Sequence, residues 1–221
     1  MSKAVIFLNG ELNNFSCLQS YLRETSLYIA ADGGARHAAL YDLPLHYIMG
    51  DLDSITKDTL DHFQSRGTQV IRYPAEKDFT DLEICLNFAK EQGATEVHLV
   101  GVEGGRCDHI FSTFTIFAHQ EFCALKLWAY DSAHRITKVQ GGEQLALNTA
   151  PGSRLSLIPL TATVCGVSVS GTRWELSDAT LHIGRSLSVS NVALQTSVNI
   201  TIQQGIVVVI SEHQLPSTPA L

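Results

Sequence analysis

Three common features are missing from this sequence: a regular cysteine pattern, a long apolar run and an excess of basic residues. The cysteines number five, which is odd, and none lies two or three residues from another. Neither a disulfide framework nor a zinc site is therefore indicated. The first ten residues contain too short an apolar run for a signal peptide or a membrane span. We expect reduced thiols and a cytoplasmic protein without a membrane partner.

The charge balance of the chain is acidic. Its 15 basic residues are outnumbered by 22 acidic residues, which gives a net charge of −7 at pH 7. Because a general nucleic-acid binder needs a basic surface, we expect no nucleic-acid partner. An acidic balance suits a protein that holds metal cations. The 221 residues, 45% of them hydrophobic, can form one large domain or two small ones, and only the ends, such as Gln214–Leu221, are expected to fray.

The first half of the chain, residues 1–131, alternates short apolar runs with segments of helical period. Such runs are typical of strands buried on both faces of a parallel sheet. The predicted strands are Ala4–Leu8, Leu27–Ala31, His46–Met49, Gln69–Arg72, Val97–Val102 and Leu125–Tyr130. The predicted helices are Asn14–Thr25, Thr56–Arg66, Thr80–Gln92 (which opens with the capping-box pair Thr80 and Glu83) and Asp108–His119. This order predicts an N-terminal doubly wound, mostly parallel α/β sheet with helices on both faces.

The second half, residues 132–221, has no convincing helix. Its strand candidates are rich in Val, Ile, Leu, Ser and Thr and are separated by glycine: Gln144–Asn148, Arg154–Pro159, Val164–Val169, Ser186–Val192 and Ile200–Ile210. Val167–Ser170 and Leu187–Ser190 alternate strictly between apolar and polar residues, as half-buried strands do. We therefore predict a C-terminal antiparallel β-sandwich.

Carboxylates follow several strands of the predicted α/β sheet. Asp32 follows the second strand, Asp51 and Asp53 follow the third, and Asp81 comes after the fourth. Because ligands of such sheets bind outside the carboxyl ends of the strands, we expect these side chains to share one crevice. They would repel one another unless a cation neutralised them, and an oxygen-only ligand set suits Mg²⁺. Since Mg²⁺ takes its remaining ligands from water and substrate phosphates, the cluster also predicts a phosphate-bearing substrate.

Each of these motifs also has a simpler interpretation. Aspartate is common in turns and at helix starts, and Asp81 lies in a first helical turn, where a carboxylate is favourable without a metal. Gly104-Gly105-Arg106 can cradle a phosphate through backbone N–H groups and a forked guanidinium, or it can be a tight turn with a surface arginine. The recurrence of aspartate at successive strand ends favours the metal site.

Taken in order, these motifs resemble those of the thiamine pyrophosphokinase family. The resembling segments are Ala31–Gly34, Gly50–Ser54, Lys77–Asp81, Gly104–His109, Ser170–Leu176 and Ser188–Asn191. The likeness covers the chain from about residue 28 to about residue 192. It implies a homodimer with its active site at the subunit interface. It also implies a reaction in which the β,γ-pyrophosphoryl group of ATP is transferred to the hydroxyl of thiamine and AMP is released.

The resemblance further implies roles for individual residues. Residues 1–131 would hold ATP and magnesium, and residues 132–221 would contribute the thiamine pocket. The ligands of the metal would be Asp32, Asp51, Asp53 and Asp81. The ATP phosphates would contact Asp32, Lys77, Asp78, Gly104, Gly105 and Arg106, with Asp78 either ligating the metal or orienting Lys77. Thiamine would meet Asp108 through its aminopyrimidine ring, and Trp174 of the partner subunit would stack on it near Ser190 and Asn191.

Trp174 has a physical reason to serve in this way, because an indole face attracts the permanently charged thiazolium ring. The simpler interpretation is an ordinary core or hairpin tryptophan.

The implied mechanism is direct transfer, with no covalent enzyme intermediate. Asp81, Asp53 and Arg106 are the catalytic candidates, and Asp81 would orient or deprotonate the thiamine hydroxyl. One alternative is a haloacid-dehalogenase-like phosphatase that uses Asp51 of Tyr47–Ser54 as its nucleophile, although that fold normally begins with this motif. The other alternative is a non-catalytic nucleotide- or vitamin-binding regulator whose acidic cluster only senses metal.

Overall fold

The structure, a computed structural model, describes residues 2–13, 15–22 and 24–213 of the chain. These residues fall into two compact units, Met1–Ser132 and Ala133–Leu221. The tail Gln214–Leu221, which was expected to fray, lies outside the described residues. Within the described part of the chain, every helix is too short or too polar to cross a membrane.

The first unit is built on a parallel β-sheet. Its strands are β1 (Ser2–Phe7), β2 (Leu27–Ala31), β3 (Tyr47–Gly50), β4 (Gln69–Arg72), β5 (Ala94–Val100) and β6 (Lys126–Tyr130). They lie in the order β6-β5-β1-β2-β3-β4, and all neighbours are parallel. The chain moves outward from β1 to β4 and then returns to β5 on the other side of β1. The strand order therefore reverses between β1 and β5, and a ligand crevice is expected at the carboxyl ends of the strands there.

Helices cover both faces of this sheet. They are α1 (Phe15–Leu18), α2 (Ala35–Leu40), α3 (Lys57–Ser65), α4 (Asp81–Glu91) and α5 (Cys107–Thr115), with 3₁₀ turns at Asp32–Gly34, Ile116–Ala118 and Gln120–Phe122. Side chains of alternate strand positions form one buried cluster with α1, α2 and α3: Val5, Phe7, Ala30, Ile48, Val100, Phe15, Leu18, Ala35, Ala38 and Phe63. Because strand side chains alternate, Ala4 and Ile6 face the other side, where α4 contacts β1, β2, β3 and β5. The predicted doubly wound architecture is confirmed.

The helix starts follow from the sequence more closely than the helix lengths do. Thr56 and Thr80 cap α3 and α4, and the Thr80 hydroxyl accepts a hydrogen bond from the Glu83 N–H at 3.3 Å, as predicted. The predicted helix Asn14–Thr25 is wrong in extent, because the chain leaves the helix after Leu18 and continues through turns. Helix α2 was not predicted, since it is short and follows a glycine pair that suggests a loop.

The second unit consists of two antiparallel sheets. Its strands are β7 (His134–Gln140), β8 (Gln144–Asn148), β9 (Arg154–Pro159), β10 (Thr163–Ser170), β11 (Leu176–His182), β12 (Asn191–Val192), β13 (Ser197–Thr201) and β14 (Ile206–Glu212). Within this unit the strand orders are β12-β9-β14-β7 and β11-β10-β13-β8. Apolar side chains from both sheets are buried, among them Leu147, Leu157, Val164, Val167, Val198, Ile200, Val207 and Val209. The predicted β-sandwich is confirmed.

Two strand predictions in this unit are wrong. The predicted strand Ser186–Val192 is wrong in extent, because only Asn191–Val192 form a strand. Leu187–Ser190 alternates like a strand but forms a turn, in which Ser188 and Ser190 have φ angles of 77° and 60°. Leu187 and Val189 are therefore about half exposed instead of buried. The segment Ile200–Ile210 is not one strand, because the chain bends at residues 202–205 between β13 and β14.

The cysteines in the described part of the chain are consistent with the expectation of reduced thiols. Cys85, Cys107 and Cys165 are free thiols. Cys85 is fully buried in α4, and this burial raises the pKa of its thiol. A buried neutral thiol of this kind behaves as a small apolar side chain in the core.

Strand β5 carries a histidine into the core of the first unit. The His98 side chain is 3% exposed, and its ring nitrogens lie 2.8 Å from Tyr130 Oη and 2.8 Å from Glu96 Oε1. A neutral imidazole satisfies both contacts, because Nε2–H donates to Glu96 while Nδ1 accepts from the Tyr130 hydroxyl. Burial lowers the pKa of His98 to about 4, although Glu96 partly opposes the shift.

The lowered pKa of His98 predicts that the protein loses stability in mild acid. The pKa of His98 is about 4 in the folded state and 6.5 as its ordinary value, so unfolded chains bind the proton first as the pH falls. The stabilisation is complete above pH 6.5 and is lost between pH 6.5 and 4. Between pH 7 and pH 5, the free energy of unfolding measured with urea should fall by about 2 kcal/mol more in the wild type than in His98→Gln. Equal losses in the two proteins would disprove the assignment.

Candidate active site

The carboxyl ends of the parallel strands surround a pocket of about 610 Å³ in the first unit. Loops that follow β1 and β5 line it on either side of the point where the strand order reverses. Most of the residues predicted from the sequence to bind metal or phosphate line this pocket: Asp32, Asp51, Asp53, Lys77, Asp81, Gly104, Gly105 and Arg106. Asp78 and Asp108 do not line it. The sequence therefore identified the lining of one real crevice.

Three of the carboxylates form a compact group. Asp32, Asp51 and Asp53 can each offer one oxygen, and these oxygens lie within 4.8 Å of one another. Repulsion from Asp51, followed by contact with the carboxyl of Asp32, raises the pKa of Asp53. A cation among the three oxygens would remove this repulsion. Asp81 lies outside the group, although it lines the same pocket.

The backbone is unusual where it carries these carboxylates. Asp32 and Leu52 have φ angles of 48° and 65°, in the left-handed region that residues with a Cβ rarely adopt. Leu52 is buried, which anchors the short segment between Asp51 and Asp53. The Asp53 N–H donates to Asp51 Oδ1 at 3.2 Å. Strained residues of this kind are concentrated at functional sites, where the surrounding structure holds them.

Asp32 is the most buried member of the group. Its side chain is only 7% exposed, and its Oδ2 accepts a hydrogen bond from the Ser54 hydroxyl at 2.6 Å. Its other oxygen, Oδ1, is buried and has no hydrogen-bond donor. An unsatisfied buried carboxylate oxygen is costly in a folded protein, and a bound cation would satisfy it. The residues of the pocket therefore fit a hard divalent ion with oxygen ligands.

Asp81 and Lys77 form an ion pair beside this group. The Lys77 ammonium lies 3.0 Å from Asp81 Oδ1, without hydrogen-bond geometry, and donates to the Pro74 carbonyl at 3.1 Å. Gly50 separates Asp81 from Asp32: a Cβ at this glycine would lie 3.0 Å from Asp32 Cβ and 3.4 Å from Asp81 Oδ1. The φ angle of Gly50 is 144°, so a larger residue would be strained as well as crowded. Glycine at this position lets the two carboxylates lie close together.

Arg106 and Asp108 are paired with each other at the start of α5. The guanidinium donates to the carboxylate twice, through Nε at 3.1 Å and through Nη2 at 2.6 Å. This contact raises the pKa of Arg106. It also lowers the pKa of Asp108, a shift that burial of the Asp108 carboxyl opposes only in part. Both side chains are mostly exposed, so the pair contributes little to stability. Arg106 faces the pocket just after Gly104 and Gly105, whose φ angles are 75° and 72°.

The predicted thiamine contacts of the second unit also lie together. Trp174, Ser190 and Asn191 line a cavity of about 430 Å³, together with Leu176 and residues 186–189. The Trp174 side chain is 58% exposed, which is unusual for so large an apolar group. The guanidinium carbon of Arg173 lies over this ring, 5.5 Å from the ring centroid. Trp174 is therefore an exposed aromatic face that already attracts a cation.

Asn191 lines this cavity and also binds the loop that carries Trp174. It is 4% exposed, and both ends of its amide bind the loop that carries Trp174. Oδ1 accepts from the Trp174 and Val192 N–H groups at 3.1 and 2.8 Å, and Nδ2 donates to the Trp174 carbonyl at 2.7 Å and to Thr172 Oγ1 at 3.1 Å. Its hydrogen-bonding capacity is used within the protein, so Asn191 supports the tryptophan.

Comparison with known proteins gives matches over both units. The family model described as "Thiamin pyrophosphokinase, catalytic domain" matches residues 18–128. The model described as "Thiamin pyrophosphokinase, vitamin B1 binding domain" matches residues 134–207.

Individual relatives and solved structures agree with these matches. The chain is 25% identical to the thiamine pyrophosphokinase of Bacillus subtilis, over 93% of this chain and 96% of that protein. It is 26% identical to thiamine pyrophosphokinase 2 of Arabidopsis thaliana, over 89% and 81%. The crystal structure of a thiamin pyrophosphokinase from Geobacillus thermodenitrificans aligns over all of both chains, with a TM-score of 0.80 and 25% identity. The Bacillus subtilis structure aligns over 97% and 100%, with a TM-score of 0.84 and 22% identity. This chain belongs to the thiamin pyrophosphokinase family.

Proposed function

We propose that this chain is a magnesium-dependent thiamine diphosphokinase. It transfers the β,γ-pyrophosphoryl group of ATP to the hydroxyl of thiamine and releases AMP. The observation that carries the proposal at the site is the group of three carboxylates around the unsatisfied Oδ1 of Asp32, set in the pocket at the strand ends. The first unit holds ATP and the metal, and the second unit supplies the thiamine platform.

Asp32, Asp51 and Asp53 are the residues that would hold Mg²⁺. When bound, the ion would neutralise these carboxylates and polarise the phosphoryl oxygens of ATP. Asp81 stands beside the group and is already paired with Lys77, so we assign it to the thiamine hydroxyl. We keep Asp78, which is exposed and outside the pocket lining, as a residue that orients the Lys77 segment.

The cationic and glycine residues that line the pocket suit a polyphosphate. Lys77 offers a point charge, and Arg106 offers a fork of donors that matches phosphate oxygens. Gly104 and Gly105 let the backbone approach closely, and helix α5 begins just after them. In the structure Arg106 is held by Asp108. Binding of the phosphates would draw the guanidinium from Asp108 and leave this carboxylate free to accept from the aminopyrimidine of thiamine.

The chemical step is a direct displacement. The thiamine hydroxyl oxygen bonds to the β-phosphorus of ATP, the bond from that phosphorus to the α,β-bridging oxygen breaks, and AMP leaves with that oxygen. The hydroxyl proton passes to Asp81 Oδ2, whose partner oxygen is fixed by Lys77. Positioning and charge stabilisation supply the acceleration, so no covalent phosphoenzyme forms.

The thiamine platform is Trp174, which we place over the thiazolium ring in a homodimer with its active site at the subunit interface. Ser190 lines the same cavity as Trp174. Asn191 holds the backbone of Trp174 on both sides of its Cα.

The proposal is tested by mixing the purified protein with ATP, Mg²⁺ and thiamine. Thiamine diphosphate and AMP should form in equal amounts, and EDTA should stop both. Release of inorganic phosphate from small phosphate esters without AMP would instead support the phosphatase. Binding of ATP and thiamine without any turnover would support the regulator, and either result would refute the proposal.

A further inference from the structure

Ser54 occupies a junction of hydrogen bonds next to the carboxylate group. Its hydroxyl oxygen lies 2.6 Å from Asp32 Oδ2, 3.0 Å from the Gly33 N–H and 2.9 Å from the amide nitrogen of Asn9. These three partners come from the ends of two different strands. Neither Ser54 nor Asn9 was assigned a role from the sequence, although Ser54 directly follows Asp53.

The donors and acceptors around the Ser54 hydroxyl determine the direction of its O–H bond. A serine hydroxyl has one hydrogen to donate and two lone pairs that accept. The Gly33 and Asn9 N–H groups can only donate, so they occupy the lone pairs. The single hydrogen must then point at Asp32 Oδ2, which can only accept when ionised. The short distance agrees with a charge-assisted bond.

The surroundings hold this junction in place. Arg36 Nη2 donates to the carbonyls of Asn9 and Gly10, at 2.8 and 2.6 Å. At Gly33 there is no space for a side chain, because a Cβ would lie 2.5 Å from both Ser54 Oγ and Asn9 Oδ1. The donors that fix the Ser54 hydroxyl are therefore fixed themselves, and the carboxylate of Asp32 cannot rotate without breaking its bond to Ser54.

We infer that Ser54 is a positioning residue for the metal ligand Asp32. By binding Oδ2, it determines that Oδ1, the buried oxygen without a donor, is the one presented to the cation. In this role Ser54 acts through Asp32 and is not itself a ligand of the ion. This inference rests on the proposed function, because it assumes that Asp32, Asp51 and Asp53 bind a divalent ion.

Direct binding of Mn²⁺ to the whole chain, without nucleotide, tests the inference through the electron paramagnetic resonance signal of free Mn²⁺. Ser54→Ala should weaken Mn²⁺ binding about 10- to 100-fold, as loss of a residue that orients a metal ligand typically does. Ser54→Thr, which keeps the hydroxyl on an exposed position, should bind within about threefold of the wild type. Ser65→Ala is the matched control, because Ser65 is an exposed serine on α3 whose hydroxyl donates to the His62 carbonyl.

The outcomes separate this inference from the proposed function. If Asp53→Asn loses Mn²⁺ and Ser54→Ala binds it like the wild type, the metal site stands and the role of Ser54 is refuted. If the wild type binds no Mn²⁺, or if Asp53→Asn binds it unchanged, the metal site itself is refuted. A merely structural role would lower the unfolding temperature in EDTA without changing Mn²⁺ affinity. The positioning role predicts weaker Mn²⁺ binding whether or not the unfolding temperature falls, with a higher Mg²⁺ requirement for turnover and a recovered kcat at saturating Mg²⁺.

Discussion

Replacement of Asp53 by asparagine is expected to reduce magnesium-dependent formation of thiamine diphosphate by about 10²- to 10³-fold. Asp53 provides one of the three oxygens that lie within 4.8 Å of one another. The amide is nearly the same size but has no charge, so it binds the ion more weakly. The phosphate charges that the ion would neutralise are then stabilised less. The measurement is the initial rate of thiamine diphosphate formation as a function of Mg²⁺ concentration.

The same substitution should not destabilise the metal-free protein. The pKa of Asp53 is raised by Asp51 and Asp32, so its ionised form is unfavourable in the folded state when no cation is present. In EDTA, the unfolding temperature of Asp53→Asn should therefore equal or exceed that of the wild type. Asp61→Asn makes the same chemical change on the exposed surface of α3 and should alter neither quantity. A near-normal rate for Asp53→Asn would refute the metal assignment.

Replacement of Trp174 by alanine should raise the KM for thiamine about 10- to 100-fold and leave the KM for ATP nearly unchanged. The estimate combines a cation–π contact with the loss of stacking area, together about 1.5 to 3 kcal/mol. The Trp174 side chain is 58% exposed, so its removal should leave the unfolding temperature almost unchanged. Steady-state kinetics with each substrate varied in turn provides the measurement.

Two further variants sharpen this prediction. Trp174→Phe keeps an aromatic face with weaker attraction for a cation and should give an intermediate KM for thiamine. Trp128→Phe is the matched control, because Trp128 lies in β6 and packs against the core of the first unit. If Trp174→Ala binds thiamine normally, or if Trp128→Phe shows the same increase in KM, the thiamine platform lies elsewhere.

Much of the first unit could be predicted because its signals are local. Apolar runs that are buried on both faces marked the strands, and the strand boundaries fixed where Asp32, Asp51 and Asp53 would lie. Because parallel strands present their carboxyl ends at one edge of the sheet, these residues were expected to share one crevice. In the structure they do line one pocket. Thr80 could be identified as a cap because its side chain bonds within the same turn.

The second unit shows where such reasoning fails. Val167–Ser170 and Leu187–Ser190 have the same alternation, yet the first lies in strand β10 and the second forms a turn. Alternation fits a strand only if a neighbouring strand offers its hydrogen bonds, and that neighbour is set by distant parts of the chain. The positive φ angles of Ser188 and Ser190 have no sequence signal comparable to glycine.

Contacts between side chains were also beyond prediction. Arg106 and Asp108 are two residues apart, so the sequence gives their proximity but not the rotamers that pair them. Asn191 lies 17 residues from Trp174, and its role depends on a loop that folds back on β12. Such residues become visible only when each buried polar atom is matched with its partner.

The most direct measurement is a diffraction experiment on crystals grown with Mn²⁺ and a non-hydrolysable ATP analogue. We expect an anomalous Mn²⁺ peak bonded to oxygens of Asp32, Asp51 and Asp53, with Oδ1 as the ligand from Asp32 and phosphate oxygens of the analogue on the same ion. A bound analogue whose Mn²⁺ peak lies away from these three carboxylates would contradict the proposed site.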